Sequence, residues 1–318
     1  MSNALKQNPI PKGLADTKGF IDLQVNGYQD VNFSAPGLSV ADIRRITQVL
    51  LKRGTAAYCP TVITSDLSVY EQNLPILAKA MAEPDLRDHL LGIHLEGPFI
   101  AKAASGAHPQ KHIRPPDTCL LDRWQTLSGN RIRILTLAPE VEGAEAIIRH
   151  ATQQGVVCSL GHHFGDDDSI HRAVNAGATL CTHLGNGIPN TLPRHPNPIW
   201  TQMAEDRLIG MFITDGHHLP STFIRVAIRA KGIHRFIVTS DVAPPGGMPP
   251  GEYAAIGGTV VLEPSGRLSV KDKDSLAGSS STLKQCMQWL EDLGALSPAE
   301  LMEVGRNNPL RVLGYRVE

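Results

Sequence analysis

Cysteine pairs, net charge and long apolar runs are all missing from this chain, and each absence removes a class of protein. Its 318 residues include five cysteines (Cys59, Cys119, Cys158, Cys181 and Cys286), an odd number with no CxxC pair and no zinc-finger spacing. A disulfide-built scaffold and a small zinc module are therefore excluded, and the thiols are expected to be reduced and mostly buried. Charge nearly cancels, with 30 Lys and Arg against 31 Asp and Glu and a formal net charge of -1. No global field draws nucleic acid or an anionic membrane, so an anionic ligand must be held by local charges. No apolar run is long enough to span a bilayer, and residues 1–18 are polar, contain Pro9 and Pro11, and lack a signal-peptide core. A cytoplasmic protein without nucleic-acid or membrane partners is expected. A GxGxxG after the first strand and a P-loop are also missing, which argues against a dinucleotide or nucleotide-triphosphate site.

What is present suits a large folded enzyme: 42% hydrophobic and 19% charged residues supply a core without a disorder signature. The main pattern is a short apolar run followed by a helix-compatible stretch, repeated. Eight runs are expected as strands: 19–25, 56–63, 90–96, 132–137, 156–160, 178–183, 208–214 and 236–239. Helices are expected at 39–53, where Ile43, Ile46, Val49 and Leu50 share a face, and at 67–81. Strands alternating with helices imply parallel βαβ units, and eight of them favour a closed (β/α)8 TIM-type barrel over a doubly wound sheet. The pattern then changes. A Gly- and Pro-rich stretch from Gly246 leads into a small hairpin over 257–270, turning at Pro264-Ser265-Gly266. Two helices are expected to finish the chain, at 281–293 and 297–305, the second opened by a capping box of Ser297 and Glu300. The organisation is thus an N-terminal extension over 1–18 and one barrel domain over 19–318, with a small β insertion near 246–272.

In such a barrel the catalytic groups project from the C-terminal ends of the strands. Five strand ends here carry reactive side chains: His94-Leu-Glu96, Gly161-His162-His163, Thr182-His183, Asp215-Gly-His217-His218 and Ser240-Asp241. Glu96, His162 and His183 offer two imidazoles and a carboxylate, a set that suits one divalent ion, Zn²⁺ first, with a position left for water. Such an ion acidifies water and polarises a carbonyl. Asp241 is then placed to take the water proton and deliver it to a leaving amine. One histidine at a strand end is more often structural than catalytic, but three candidate ligands at strand ends and an Asp on the last strand make coincidence a poor account. His94 points the same way as Glu96 and is either a ligand or, preferably, support beneath the metal. His163 should face away from His162 and is secondary or substrate-facing, while His112, His150, His171 and His234 are expected on the surface. His108, in the long loop after the third strand, is a candidate donor to the scissile carbonyl. Arg194 and His218 add charge for an anionic group such as phosphate.

Across residues 19–314 these segments resemble, in order, motifs of the N-acetylglucosamine-6-phosphate deacetylases of the amidohydrolase superfamily. The resemblance rests on Gly19-Phe-Ile-Asp-Leu-Gln-Val-Asn-Gly27, Leu95-Glu-Gly-Pro-Phe99, Gly106-Ala-His108, Leu137-Ala-Pro-Glu140, Gly161-His162, Thr182-His-Leu184, Asp215-Gly-His-His218 and Leu276-Ala-Gly-Ser279. It implies Glu96, His162 and His183 as metal ligands, Asp241 as acid/base and His108 as the carbonyl-orienting residue. Arg194 and His218 match phosphate-contacting residues that the family supplies to the neighbouring subunit, which implies a homodimer, and Asn186-Gly187 matches a phosphate-contacting loop. Two departures matter. The superfamily's His-x-His of the first strand is here Gln24-Val25-Asn26, so one metal is expected rather than two. Gly185-Asn-Gly-Ile188 stands where the family has an aromatic-Asn-Ala-Met stretch. Most of the family's small terminal β-sandwich is expected to be absent, its remnant lying in the strands near 257–270. The expected activity is deacetylation of an N-acetylated amino sugar, N-acetylglucosamine-6-phosphate first. The alternatives are an amidohydrolase acting on another N-acyl or cyclic amide, and a non-catalytic barrel that binds a sugar or a protein.

Overall fold

A computed structural model describes residues 8–255, 258–273 and 275–317. Eight parallel strands form one sheet in sequential order: β1 (Phe20–Val25), β2 (Thr55–Ile63), β3 (Ile93–Glu96), β4 (Ile132–Leu137), β5 (Val157–Leu160), β6 (Leu180–Cys181), β7 (Ile209–Ile213) and β8 (Phe236–Thr239). Helices lie between most of them, giving the (β/α)8 barrel. Several helices start where the sequence provides a side-chain N-cap. Ser39 and Asp42 form a reciprocal box ahead of Val40–Lys52, and Asp166 caps Asp167–Ala176. The helix Leu67–Ala80 follows N-cap Asp66, and each helix turns an apolar stripe onto the sheet.

The barrel closes between β1 and β8 by few backbone bonds and several side-chain bonds. Asn26 N donates to Val242 O at 2.8 Å, and Val25 pairs with Val242. The buried carboxylate of Asp22 adds to these, accepting from Thr239 Oγ1 at 2.8 Å, Ser240 N at 3.1 Å and Ser240 Oγ at 2.5 Å. At the opposite end from the strand C-termini, Ile21, Cys59, Ile134, Leu180, Met211 and Ile237 cluster with Leu14 and Leu310 from the two ends of the chain. Residues 8–18 therefore belong to the folded body: Asn8 bridges to Tyr315, and the turn Lys12–Ala15 buries Leu14 completely.

Three departures from the sequence pattern have physical causes. The sixth strand shrinks from 178–183 to Leu180–Cys181, because His183 adopts a left-handed backbone (φ 31°) that ends the extended run. The expected hairpin is a three-stranded antiparallel sheet, Gly251–Ala255, Gly258–Leu262 and Leu268–Val270; Gly257 lies outside the described residues. Its first strand was hidden in the Gly/Pro-rich segment. The last helix is interrupted, with Pro298–Met302 passing through a wider turn at Glu303–Asn307 into Asn308–Val312. Pro309 cannot donate a backbone hydrogen bond, which favours such a break.

Candidate active site

The strand ends bring Glu96, His162 and His183 together. Glu96 Oε1 lies 3.1 Å from His162 Nε2 and 2.9 Å from His183 Nε2, and the two imidazole nitrogens are 3.1 Å apart. All three residues are buried. His162 Nδ1 donates to Ala104 O at 2.9 Å, so a neutral ring presents a lone pair at Nε2, directly against a carboxylate oxygen. Two lone-pair atoms at that distance are stable only with a positive charge between or beside them. A tetrahedral ion with ~2.0 Å bonds separates its donors by about 3.3 Å, close to this triangle, so the residues fit a divalent metal. Glu96 is driven upward by burial, but its bonds to His162 and His183 prevail and hold its carboxyl well below the usual range. Burial disfavours a charged His183, yet Glu96 and Asp241 outweigh it and raise its pKa.

Backbone strain accompanies this convergence. His162 (φ 52°), His183 (φ 31°) and Asp241 (φ 51°) all occupy the left-handed region, at about 1–3 kcal/mol each for a non-glycine residue. The loop after β6 must also pass close to both rings: a Cβ on Gly187 (φ 60°) would fall 2.8 Å from His183 Cε1. Glycine is required there.

Asp241 is buried beside the triad. Its Oδ1 accepts from Gln24 Nε2 at 2.8 Å and from Asn26 Nδ2 at 2.7 Å, while Gln24 Nε2 also donates to Glu96 Oε1 at 2.9 Å. Burial, then the Glu96 charge, pushes the Asp241 carboxyl up to about 6. The amides of Gln24 and Asn26 thus stand where the superfamily places histidines, and they serve the acid/base candidate. Period-two spacing on β1 was the available signal for that pairing.

His94 lies beneath the triad with both nitrogens occupied: Nδ1 donates to Leu23 O at 2.9 Å, and Nε2 accepts from Thr136 Oγ1 at 2.7 Å. Burial lowers its pKa to about 4, so the ring is neutral. That orders a buried chain in which Ser159 donates to Thr182 and Thr182 to Thr136, each at 2.6 Å. With both nitrogens engaged by protein partners, the geometry of His94 favours support over ligation. His163 is buried away from the cavity, its Nδ1 accepting from Gly165 N at 3.2 Å. The substrate-facing alternative for it is set aside.

The triad opens into a cavity of about 620 Å³ whose lining includes His108, Asn186, Gly187, His217, His218 and Asp241. His108 is held neutral, its pKa lowered to about 3 by burial and by the neighbouring His162. Its Nε2 is 3.9 Å from Glu96 Oε2. His218 Nδ1 is 2.8 Å from Asp215 Oδ2, and Asp215 Oδ1 also accepts the backbone N–H groups of His217 and His218 at 2.9 Å each. Asp215 thus anchors His218 at the lining of the cavity. Arg194 is exposed on the Pro-rich loop and does not line the cavity. Asp215 is named at its strand end in the sequence but without a role, although an Asp three residues before a His at a strand end is a readable anchor. Arg267 and Lys273, from the small sheet and the segment after it, also line the cavity and gave no sequence signal.

No protein-family model matches the chain. It is 33% identical over 309 residues to N-acetylglucosamine-6-phosphate deacetylase of Bos taurus, covering 93% of this chain and 74% of that one. It is 29% identical over 313 residues to N-acetylgalactosamine-6-phosphate deacetylase of Escherichia coli O157:H7, covering 96% and 81%. Its fold matches N-acetyl-D-glucosamine-6-phosphate deacetylase of Mycobacterium smegmatis, solved in complex with N-acetyl-D-glucosamine-6-phosphate. The TM-score is 0.86 at 26% identity, over 94% of this chain and 77% of the other. The chain belongs to the N-acetylglucosamine-6-phosphate deacetylase family of the amidohydrolase superfamily.

Proposed function

We propose that this protein hydrolyses the acetamide of an N-acetylated hexosamine 6-phosphate, N-acetylglucosamine-6-phosphate first, to the free amine and acetate. The observation that carries the reading is the meeting of Glu96, His162 and His183 at one point beside the buried carboxyl of Asp241. Those three side chains would hold one divalent cation, zinc by the donor chemistry, which when bound acidifies water and polarises the acyl carbonyl.

The remaining chemistry belongs to the chain. Asp241 receives the proton of the attacking water and returns it to the sugar nitrogen as the C–N bond breaks. Because Gln24 and Asn26 occupy Oδ1, Oδ2 is the oxygen left to carry that proton. His108 orients the acyl oxygen from the cavity wall. Asn186, Gly187 and His218 bind the sugar phosphate, and Asp215 holds His218 in place. Arg194 reaches the phosphate in the neighbouring subunit of a homodimer, a role supported by its exposure and by its absence from its own cavity lining. No helix of the described residues is long and apolar enough to cross a membrane. With four of the five thiols buried and none paired, a cytoplasmic location fits.

The test is an acetate-release assay on zinc-loaded protein with N-acetylglucosamine-6-phosphate, its galactosamine epimer and unphosphorylated N-acetylglucosamine. Turnover of a phosphorylated sugar, with kcat/KM reduced by roughly tenfold or more in Arg194→Ala, is expected. Metal-loaded protein inert to all three sugars would overturn the assignment.

A further inference from the structure

Thr64 immediately follows β2 and is fully buried. Its hydroxyl has two hydrogen-bond neighbours among the described residues: His108 Nδ1 at 2.9 Å and the Glu96 carbonyl oxygen at 3.4 Å. A hydroxyl has one proton to give. If it goes to the carbonyl, neutral His108 must carry its own proton on Nδ1, and Nε2 faces the site as a bare lone pair. If it goes to His108 Nδ1, the ring proton sits on Nε2.

Two observations choose between these arrangements. The contact to His108 lies well within normal hydrogen-bond length, whereas 3.4 Å to the carbonyl is marginal. His108 Nε2 also faces Glu96 Oε2 across 3.9 Å, where a carboxylate attracts an N–H and repels a lone pair. Space for the hydroxyl is secured by Gly97 (φ 83°), since a Cβ there would lie 2.3 Å from Thr64 Oγ1.

We infer that Thr64 is a positioning residue that fixes His108 as the Nε2–H tautomer, making the ring a hydrogen-bond donor toward the acyl oxygen. The catalytic consequence rests on the deacetylase reading; the tautomer does not. A second carbonyl-polarising group is thereby set by a residue that touches no substrate.

The experiment uses zinc-loaded full-length protein labelled with ¹⁵N-histidine, in the wild type and in Thr64→Val, Thr64→Ser and His108→Asn. Two-bond ¹H–¹⁵N spectra, with His108 assigned by its loss in His108→Asn, are expected to show protonated Nε2 in the wild type and in Thr64→Ser. In Thr64→Val that signal should give way to a mixture or to the Nδ1–H form. On N-acetylglucosamine-6-phosphate, kcat should fall about 10- to 100-fold in Thr64→Val with KM within about twofold, and Thr64→Ser should recover most of it. Adding Thr64→Val to His108→Asn should change kcat no further. An Nδ1–H tautomer in the wild type, or an unchanged tautomer and kcat in Thr64→Val, would overturn the proposal. If Thr64→Val does not fold, the wild-type and Thr64→Ser spectra decide. A protein with the expected tautomer that deacetylates no sugar sinks the functional reading and leaves the role of Thr64 standing.

Discussion

His162 and His183 aim their Nε2 atoms at one another across 3.1 Å, and Glu96 Oε1 lies within 3.1 Å of both. Such a triangle is self-repelling when both rings are neutral, and a cation relieves it. Chelation should therefore abolish activity and also lower thermal stability, by up to about 4 kcal/mol when free metal had been ~1,000 times its Kd. Both rings must be unprotonated to bind, so metal affinity should fall as pH falls. Thermal scans with and without a chelator, then with zinc restored, check this. An unchanged Tm after complete metal removal would contradict it.

The amide of Gln24 donates to Glu96 and Asp241 at once. Gln24→Glu would set a third carboxyl against two acceptors in a buried site. Clustered carboxylates raise one another's pKa, so the penalty is largest when all are ionised and shrinks as they protonate. The variant should lose about 3 kcal/mol relative to the wild type at pH 8 and much less at pH 5. Denaturant unfolding of the metal-free proteins at the two pH values tests it. An equal loss at both would show that the cost is packing rather than charge.

The eight strands were legible because each is a short apolar run, and the helices because residues such as Ser39 with Asp42 and Ser297 with Glu300 mark their starts. The triad was legible because the barrel sends strand ends to one mouth. What escaped is set by side-chain direction and backbone sign. His183 was visible as a residue, but its left-handed φ, which truncates β6, was not. Asp22 reads as one more strand residue until β8 comes round to meet it. Thr64 and Asp215 act on histidines 44 and 3 residues away. Only the near pair leaves a trace in sequence.

Arg194 and Asp241 belong to complementary halves of the site if Arg194 acts across a dimer. Arg194→Ala and Asp241→Asn chains should each be weakly active alone. After denaturation and co-refolding in equal amounts, half of the dimers are mixed, and each has one site with an intact Asp241 that receives an intact Arg194. Recovery of roughly a quarter of wild-type activity is expected. No recovery, in a mixture shown to contain mixed dimers, would place Arg194 within its own subunit or outside the site.

Asp22 holds the seam between β1 and β8, and its ionisation should mark the pH dependence of stability. Burial pushes its carboxyl from 3.8 up to about 6, with the bonds from Ser240 and Thr239 pulling the other way. Below about pH 4 it is protonated in both folded and unfolded chains and favours neither. As pH rises from about 4 to 6, the unfolded chain gives up this proton first, so the native state loses stability, by at most about 3 kcal/mol once pH exceeds the folded value. Other carboxylates have lowered pKa values and act in the opposite sense, so the measurement is a difference. The gap between wild type and Asp22→Asn in unfolding free energy should shift in favour of Asn between pH 4 and 7, whatever its offset from altered hydrogen bonds. A pH-independent gap would mean that the three donors from Thr239 and Ser240 keep the Asp22 carboxylate ionised at no net cost, and that the seam is held by a charge.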